Sequence, residues 1–306
     1  MTDYRVTHLT VYTYDDEVTD SFGVAHLIPR ELPWQRVGRS ELTLTPAPSD
    51  LSQDRDYYAN AVTYFQVTEP HERLEIEAVS ELGVEPPAYD ELALAQPWES
   101  CRPLLTDRAG AWSATDLALA SPLVEHVAEA TDYAAESLRP GRGIGEAVEE
   151  LMHRIHADFG YDDQATTVTS TVPEILAARG GVCQDFAHLM LACLRGHGLA
   201  ARYVSGYLAT TPPPGRERVV GADASHAWVA VWVPAPVPSV GQEQAPGSPE
   251  GQWLALDPTN DARVDDRYVT LAWGRDYGDV PPVKGVIFTE AKSSTLEVSV
   301  DVATAW

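Results

Sequence analysis

The chain has 306 residues, 44% of them hydrophobic, and carries 46 acidic against 21 basic side chains for a net charge of −25. That apolar content suffices for a packed core of one large or two modest domains and excludes a disordered chain. The acidity, with no cluster of Lys or Arg, predicts no nucleic-acid partner and no membrane-surface partner. No apolar run approaches the ~20 residues needed to span a bilayer, and Met1-Thr2-Asp3-Tyr4-Arg5 has neither the basic head nor the apolar stretch of a signal peptide. A cytoplasmic location is the default expectation. Lys284 and Lys292 are the only lysines, so arginine carries nearly all the positive charge. Cys101, Cys183 and Cys193 are odd in number and form no C-x-x-C, which predicts free thiols rather than a disulfide scaffold or a zinc cluster.

Residues 1–85 read as a β-rich domain. Val6, His8, Thr10 and Tyr12 alternate with Thr7, Leu9, Val11 and Thr13, and both sets suit a strand. Further strands are predicted over 40–45, 61–67 and 74–79, separated by turn-formers such as Pro46-Ala47-Pro48-Ser49-Asp50. Residues 86–118, rich in Pro, Asp and Glu, read as a connector. From 119 to 306 the pattern is helices first and strands after. Helices are predicted over 119–138, 145–158, 172–178 and 182–196, then strands over 201–208, 224–233, 252–257, 286–289 and 295–302. Leu296, Val298, Val300 and Val302 fall on one face of the last strand. Residues 234–251, rich in Pro, Gly, Ser and Gln, read as a long exposed hairpin loop without chemical importance. Helices grouped before antiparallel strands predict an α+β core rather than βαβ units.

Chemistry concentrates at Gly180-Gly181-Val182-Cys183-Gln184-Asp185-Phe186-Ala187-His188-Leu189. Phe186, Leu189, Met190, Cys193 and Leu194 recur at helical spacing, with Gly198 as a stop, which puts Cys183 in a first helical turn. There, unpaired N–H groups and the positive end of the macrodipole favour an anion, and the thiolate is the nucleophilic form of cysteine. Two later features fit beside it. His226 opens the alternating run Ser225-His226-Ala227-Trp228-Val229-Ala230-Val231-Trp232, and Asp257 lies where Leu254-Ala255-Leu256-Asp257 meets Pro258. A thiol needs a base that titrates near neutrality, and an imidazole needs a carboxylate to fix its tautomer. If neighbouring antiparallel strands carry His226 and Asp257 on one face they can meet across the sheet, and a helix packed on that face would deliver Cys183. The N–H groups near Cys183 and Gln184 are natural oxyanion donors.

These motifs, with Ala-Arg-Tyr-Val-Ser-Gly-Tyr at 201–207 and Gly274-Arg275-Asp276-Tyr277 and Asp279-Val280-Pro281-Pro282 further on, resemble the bacterial branch of the transglutaminase-like superfamily. The first ~85 residues resemble the β-rich region that precedes such a core. The resemblance implies a papain-like core of helices packed on an antiparallel sheet, with Cys183 as nucleophile, His226 as base and then acid, and Asp257 as orienter. It implies an amide- or peptide-bond hydrolase working through a thioester, without cofactor or metal, on a protein, peptide or small amide. An acyltransferase using the same triad is the alternative, and a non-catalytic interaction module on this fold the second. The insertion at 234–251 departs from the pattern and leaves the triad intact.

Several residues have a plainer reading. Cys193 lies on the apolar stripe of its helix, and Cys101 in the connector is incidental. His153 and His156 are three apart on a helix, but no further ligand at a telling spacing supports a metal site. His188 reads as a satisfied helix histidine, and Asp185 as a first-turn carboxylate that would oppose the thiolate if it faced it. Trp228, Trp232, Trp253 and Tyr207 suit a substrate groove or a core equally. Asn260 suits turn hydrogen bonds.

Overall fold

The structure, a computed structural model, describes residues 1–106, 110–210, 225–236 and 250–305. The first part of the chain forms the strands β1 (Thr2–Ala25), β2 (Gln35–Thr45), β3 (Asp50–Arg55), β4 (Ala61–Val67) and β5 (His71–Val84). Short helices α1 (Glu91–Leu94) and α2 (Ala111–Ala114) follow, then α3 (Ala128–Ala135) and α4 (Ile144–Asp158). The two-residue strand β6 (Gly160–Tyr161) precedes α5 (Val172–Ala178), and β7 (Gly180–Gly181) precedes α6 (Cys183–Gly196). The remaining strands are β8 (Ala201–Leu208), β9 (Ser225–Pro234), β10 (Gly251–Asp257), β11 (Ala262–Arg263), β12 (Tyr268–Gly274), β13 (Val283–Thr289) and β14 (Ser294–Thr304). The architecture is α+β, as expected, and among the described residues no helix is long and apolar enough to cross a membrane.

The first sheet is organised around β1. Its first half pairs antiparallel with β5 on one side and β14 on the other, and its second half with β4 and β13. The chain's last two strands thus belong to this sheet, although the sequence reading placed 119–306 entirely in the core. The reason is long-range: Val300 and Val302, expected on a common face, pair with His8 and Val6 and are buried in the same cluster as the core helices. The stretch read as a connector is also packed, with Trp98, Cys101, Ala114 and Leu117 all buried.

The expected helix over 119–138 forms only as α3. Pro122 has no N–H to give a helix and disfavours helical Ser121, and Ser121 instead bridges Val124 in a tight turn. β3, missed in the sequence, is a wholly exposed strand whose polar residues give no alternation signal. β12, also missed, is apolar on both faces and almost entirely buried. The predicted loop over 234–251 has only its ends within the described residues, where Gly251 pairs with Pro234.

The second sheet has the order β11-β10-β9-β8-β12. Val229, Val231 and Val233 of β9 and Leu254 and Leu256 of β10 point to the helix side and share a core with Phe186, Leu189, Met190 and Leu194 of α6. Trp228, Ala230 and Ala255 point to the other side, with Tyr268. A buried contact joins the two units: Tyr207 Oη and His8 Nδ1 are 2.9 Å apart, and His8 Nε2 lies 2.8 Å from Thr10 Oγ1.

Candidate active site

Cys183 is the first residue of α6, so its N–H and that of Gln184 have no intrahelical acceptor. The preceding glycines pair with β6, and Asp162 N–H donates to the Gly181 carbonyl at 2.9 Å. Asp185 turns back onto the start of the helix. Its Oδ2 accepts from Val182 N–H at 2.8 Å and from Thr166 Oγ1 at 2.6 Å. A side chain at Gly181 would put Cβ 2.6 Å from that oxygen, so the glycine makes room for the carboxylate. Burial raises the Asp185 pKa, and its two hydrogen bonds counter the rise. Gln184 donates from Nε2 to the Val168 carbonyl at 3.0 Å. The residues flanking the thiol therefore tie the exposed 162–171 segment to the helix, a role that spacing along the chain did not indicate.

His226 and Asp257 meet as expected, with His226 Nε2 2.7 Å from Asp257 Oδ2 and the carboxylate fully buried. Asp257 is surrounded by donors. Thr259 and Asn260 N–H groups reach Oδ1 at 2.9 and 3.2 Å, while Tyr268 Oη and Asn260 Nδ2 reach Oδ2 at 2.8 and 2.7 Å. Burial alone would raise the Asp257 pKa, but the His226 contact and these hydrogen bonds outweigh it and lower it. For His226, burial works toward a lower pKa. The hydrogen bonds and charges of Asp257 and Cys183 prevail and raise it to about 10. Nε2 is occupied by the carboxylate, which leaves Nδ1 for the sulfur.

The three side chains converge, by a different route from the one expected. His226 and Asp257 do share a face of the sheet, the face of Trp228 and Tyr268, whose rings lie 6.2 Å from the imidazole. Helix α6 packs on the opposite face. The thiol and imidazole thus meet at the end of the sheet, where His226 is the second residue of its strand. Gly206 opposes His226 in register. A Cβ there would lie 2.4 Å from the Trp228 ring and 2.1 Å from the Val269 carbonyl, so only glycine leaves room for the Trp228 ring beside the site. Tyr268 was not anticipated from the sequence. Asn260 makes the expected turn bonds and also brings Nδ2 within 3.3 Å of His226 Nε2. Chemically, the arrangement is a cysteine sulfur beside an imidazole that can hold its proton, oriented by a dehydrated carboxylate.

The other sequence candidates are structural. His188 is fully buried, its Nε2 accepting from Tyr277 N–H at 3.2 Å, and burial lowers its pKa to about 4. Among the described residues its Nδ1 has no partner. His153 bonds Asp261, and His156 Nδ1 donates to the Thr259 carbonyl at 3.0 Å. Both therefore brace the turn after Asp257. Trp228, Trp232 and Tyr207 are buried, and Trp253 is stacked under Arg202. Cys193 and Cys101 are buried.

Comparison with known proteins gives a consistent picture. Residues 4–82 match the bacterial transglutaminase-like N-terminal region, and residues 131–258 match the core of the transglutaminase-like superfamily. An uncharacterized protein of Mycobacterium tuberculosis is 48% identical over 302 residues, covering 98% of this chain and 92% of that one. A protein-glutamine gamma-glutamyltransferase of Pseudomonas aeruginosa is 31% identical over 130 residues, 41% of this chain and 17% of that protein. The crystal structure of a candidate cysteine protease from Cytophaga hutchinsonii superposes with a TM-score of 0.70 at 15% identity, covering 100% of this chain and 93% of that one. At that identity the likeness is one of fold.

Proposed function

Because the chain belongs to the transglutaminase-like superfamily, we propose that it is a thiol-dependent amide- or peptide-bond hydrolase with Cys183, His226 and Asp257 as its triad. Cys183 Sγ, whose proton His226 already holds, attacks the carbonyl carbon as the thiolate, and the N–H groups of Cys183 and Gln184 hold the oxyanion. The C–N bond breaks, the leaving amine takes the proton from His226, and a thioester remains. Water then attacks and gives its proton to His226, and the acid product leaves as the C–S bond breaks, restoring the thiolate beside the protonated imidazole. Asp257 keeps the imidazole oriented and stabilises it while charged. The observation that carries this reading is the hydrogen-bonded line from the buried Asp257 through His226 to the partly exposed thiol at a helix start.

Acyl transfer to a primary amine is the second reading, favoured by the similarity to a protein-glutamine gamma-glutamyltransferase. Hydrolysis of a peptide and glutamine-amide library, with and without primary amines, separates the two. Wild-type turnover that persists in Cys183→Ala would overturn both. Rapid, pH-dependent alkylation of Cys183 alone supports an active thiol, whereas equally sluggish labelling of all three cysteines supports a non-catalytic module.

A further inference from the structure

The run Ala-Arg-Tyr-Val-Ser-Gly-Tyr at 201–207 contains a charge that the triad does not use. Arg202 is 6% exposed. Its guanidinium carbon lies over two indoles, 3.5 Å from the centroid of Trp273 and 4.3 Å from that of Trp253. Among the described residues it has no ion pair, and its buried Nε has no hydrogen-bond partner. Arginine starts from so high a pKa that it stays charged at neutral pH, and a buried charge is normally paired and hydrogen-bonded. The indole faces answer the charge in part and leave Nε–H without an acceptor. Burial, and after it the charge of Arg30, push the Arg202 pKa well below the usual arginine range, the direction expected of a cation without its counter-charge.

A second cation shares the stack. Arg30 lies 3.5 Å from the same Trp273 centroid, so the two guanidiniums take opposite faces of one indole. Arg30 donates to the Tyr58 carbonyl at 3.0 Å and to Asn60 Oδ1, both neutral groups, and its Nε is also buried without a partner. Arg202 lines a cavity of about 10 Å3 whose other walls include Trp34, Trp228, Trp253, Val264 and Trp273. That is about the volume of one water-sized sphere, too small for a carboxylate or phosphate group. Trp34, Trp253 and Trp273 are half-buried, so the wall reaches the surface. In register Arg202 faces Ala230, and Gly206 faces His226. The cavity therefore lies ~13 Å along β8 from the catalytic histidine, with Trp228 between them, too far for a group there to touch the reacting atoms.

We propose that Arg202 and its indole cage hold one small monatomic anion, chloride in the first instance, as a structural ligand of the second sheet. The anion accepts hydrogen bonds from the guanidinium and supplies the counter-charge that no described residue gives it. It also offsets the repulsion between Arg202 and Arg30 across Trp273. The net charge of −25 does not forbid this, because distant surface charges are screened beyond ~8–10 Å. The site is independent of what Cys183 reacts with.

The test unfolds the full chain thermally in sodium chloride and in sodium gluconate of equal ionic strength. Chloride should raise the midpoint by roughly 2–5 °C between chloride-free buffer and saturation, because a ligand held only by the folded chain stabilises it. Gluconate, too bulky for the cavity, should not. Tryptophan fluorescence should change along the same saturation curve. Val264→Ile adds one carbon to the cavity wall, leaves both arginines in place, and should weaken chloride binding about ten-fold or more. Arg202→Met should abolish the chloride response yet hold or raise the midpoint in gluconate, since hydrocarbon replaces an unpaired charge. Val264→Ile carries the test should that variant fail to fold. Crystals soaked in sodium bromide should show an anomalous scatterer within hydrogen-bonding distance of Arg202. Equal midpoints in the two salts, a chloride response that survives both substitutions, or a water alone beside Arg202 in the bromide crystals overturns the proposal.

Discussion

Replacing Asp257 by Asn tests the electrostatics of the site most directly. The His226 pKa stands at about 10, against an ordinary value near 6.5, and at ~1.4 kcal/mol per pH unit this is roughly 5 kcal/mol of net preference for the charged ring. Asp257 and Cys183 supply that preference together, so losing the carboxylate charge should cost roughly half, ~2–3 kcal/mol, and bring the ring down by about two pH units. An asparagine also cannot satisfy the site by rotating. Donors face both carboxylate oxygens, so its NH2 must oppose either the Thr259 and Asn260 N–H groups or the Tyr268 hydroxyl and the His226 ring. Loss of orientation and of the ion pair together should lower kcat on the order of 10²–10⁴-fold. The assay is kcat/KM and the iodoacetamide labelling rate of Cys183 from pH 5 to 11. In the wild type the alkaline limb should lie near 10, because a raised imidazole keeps its proton up to that pH and loses it above. In Asp257→Asn it should move down toward 8. An alkaline limb that stays in place would refute the assignment of Asp257 as the partner that holds the proton on His226.

The remaining predictions concern the scaffold. Gly206→Ala should destabilise the fold by roughly 1–3 kcal/mol or more and depress activity, since its Cβ would press on the Trp228 ring and on the Val269 carbonyl; denaturant unfolding alongside kcat would check this. Burial lowers the pKa of both His8 and His188 to about 4. The unfolded chain therefore binds the extra protons between about 4 and 6.5, and stability should fall as pH drops through that window, by up to roughly 3 kcal/mol for each ring. Unfolding midpoints at pH 7 and pH 5 would measure it, and an equal or higher midpoint at pH 5 would contradict it. Tyr207→Phe removes the hydroxyl beside His8 Nδ1 and should cost about 1–3 kcal/mol through the polar group left buried.

What the sequence determined is local. The apolar stripe of α6 and the glycines before Cys183 placed the thiol at a helix start, because helix periodicity and termini are written in neighbouring residues. The strands carrying His226 and Asp257 were legible for the same reason, whereas the face each side chain takes depended on the register of β9 with β10. The tertiary structure decided everything that depends on which segment pairs with which. It sent β13 and β14 back to β1, put α6 on the face opposite His226, and brought Tyr268 across two strands to Asp257. It also turned Gln184 and Asp185 into ties for the 162–171 segment. Sheet partners and helix faces are chosen by burial summed over contacts between residues hundreds of positions apart, and no window of neighbouring residues contains that sum.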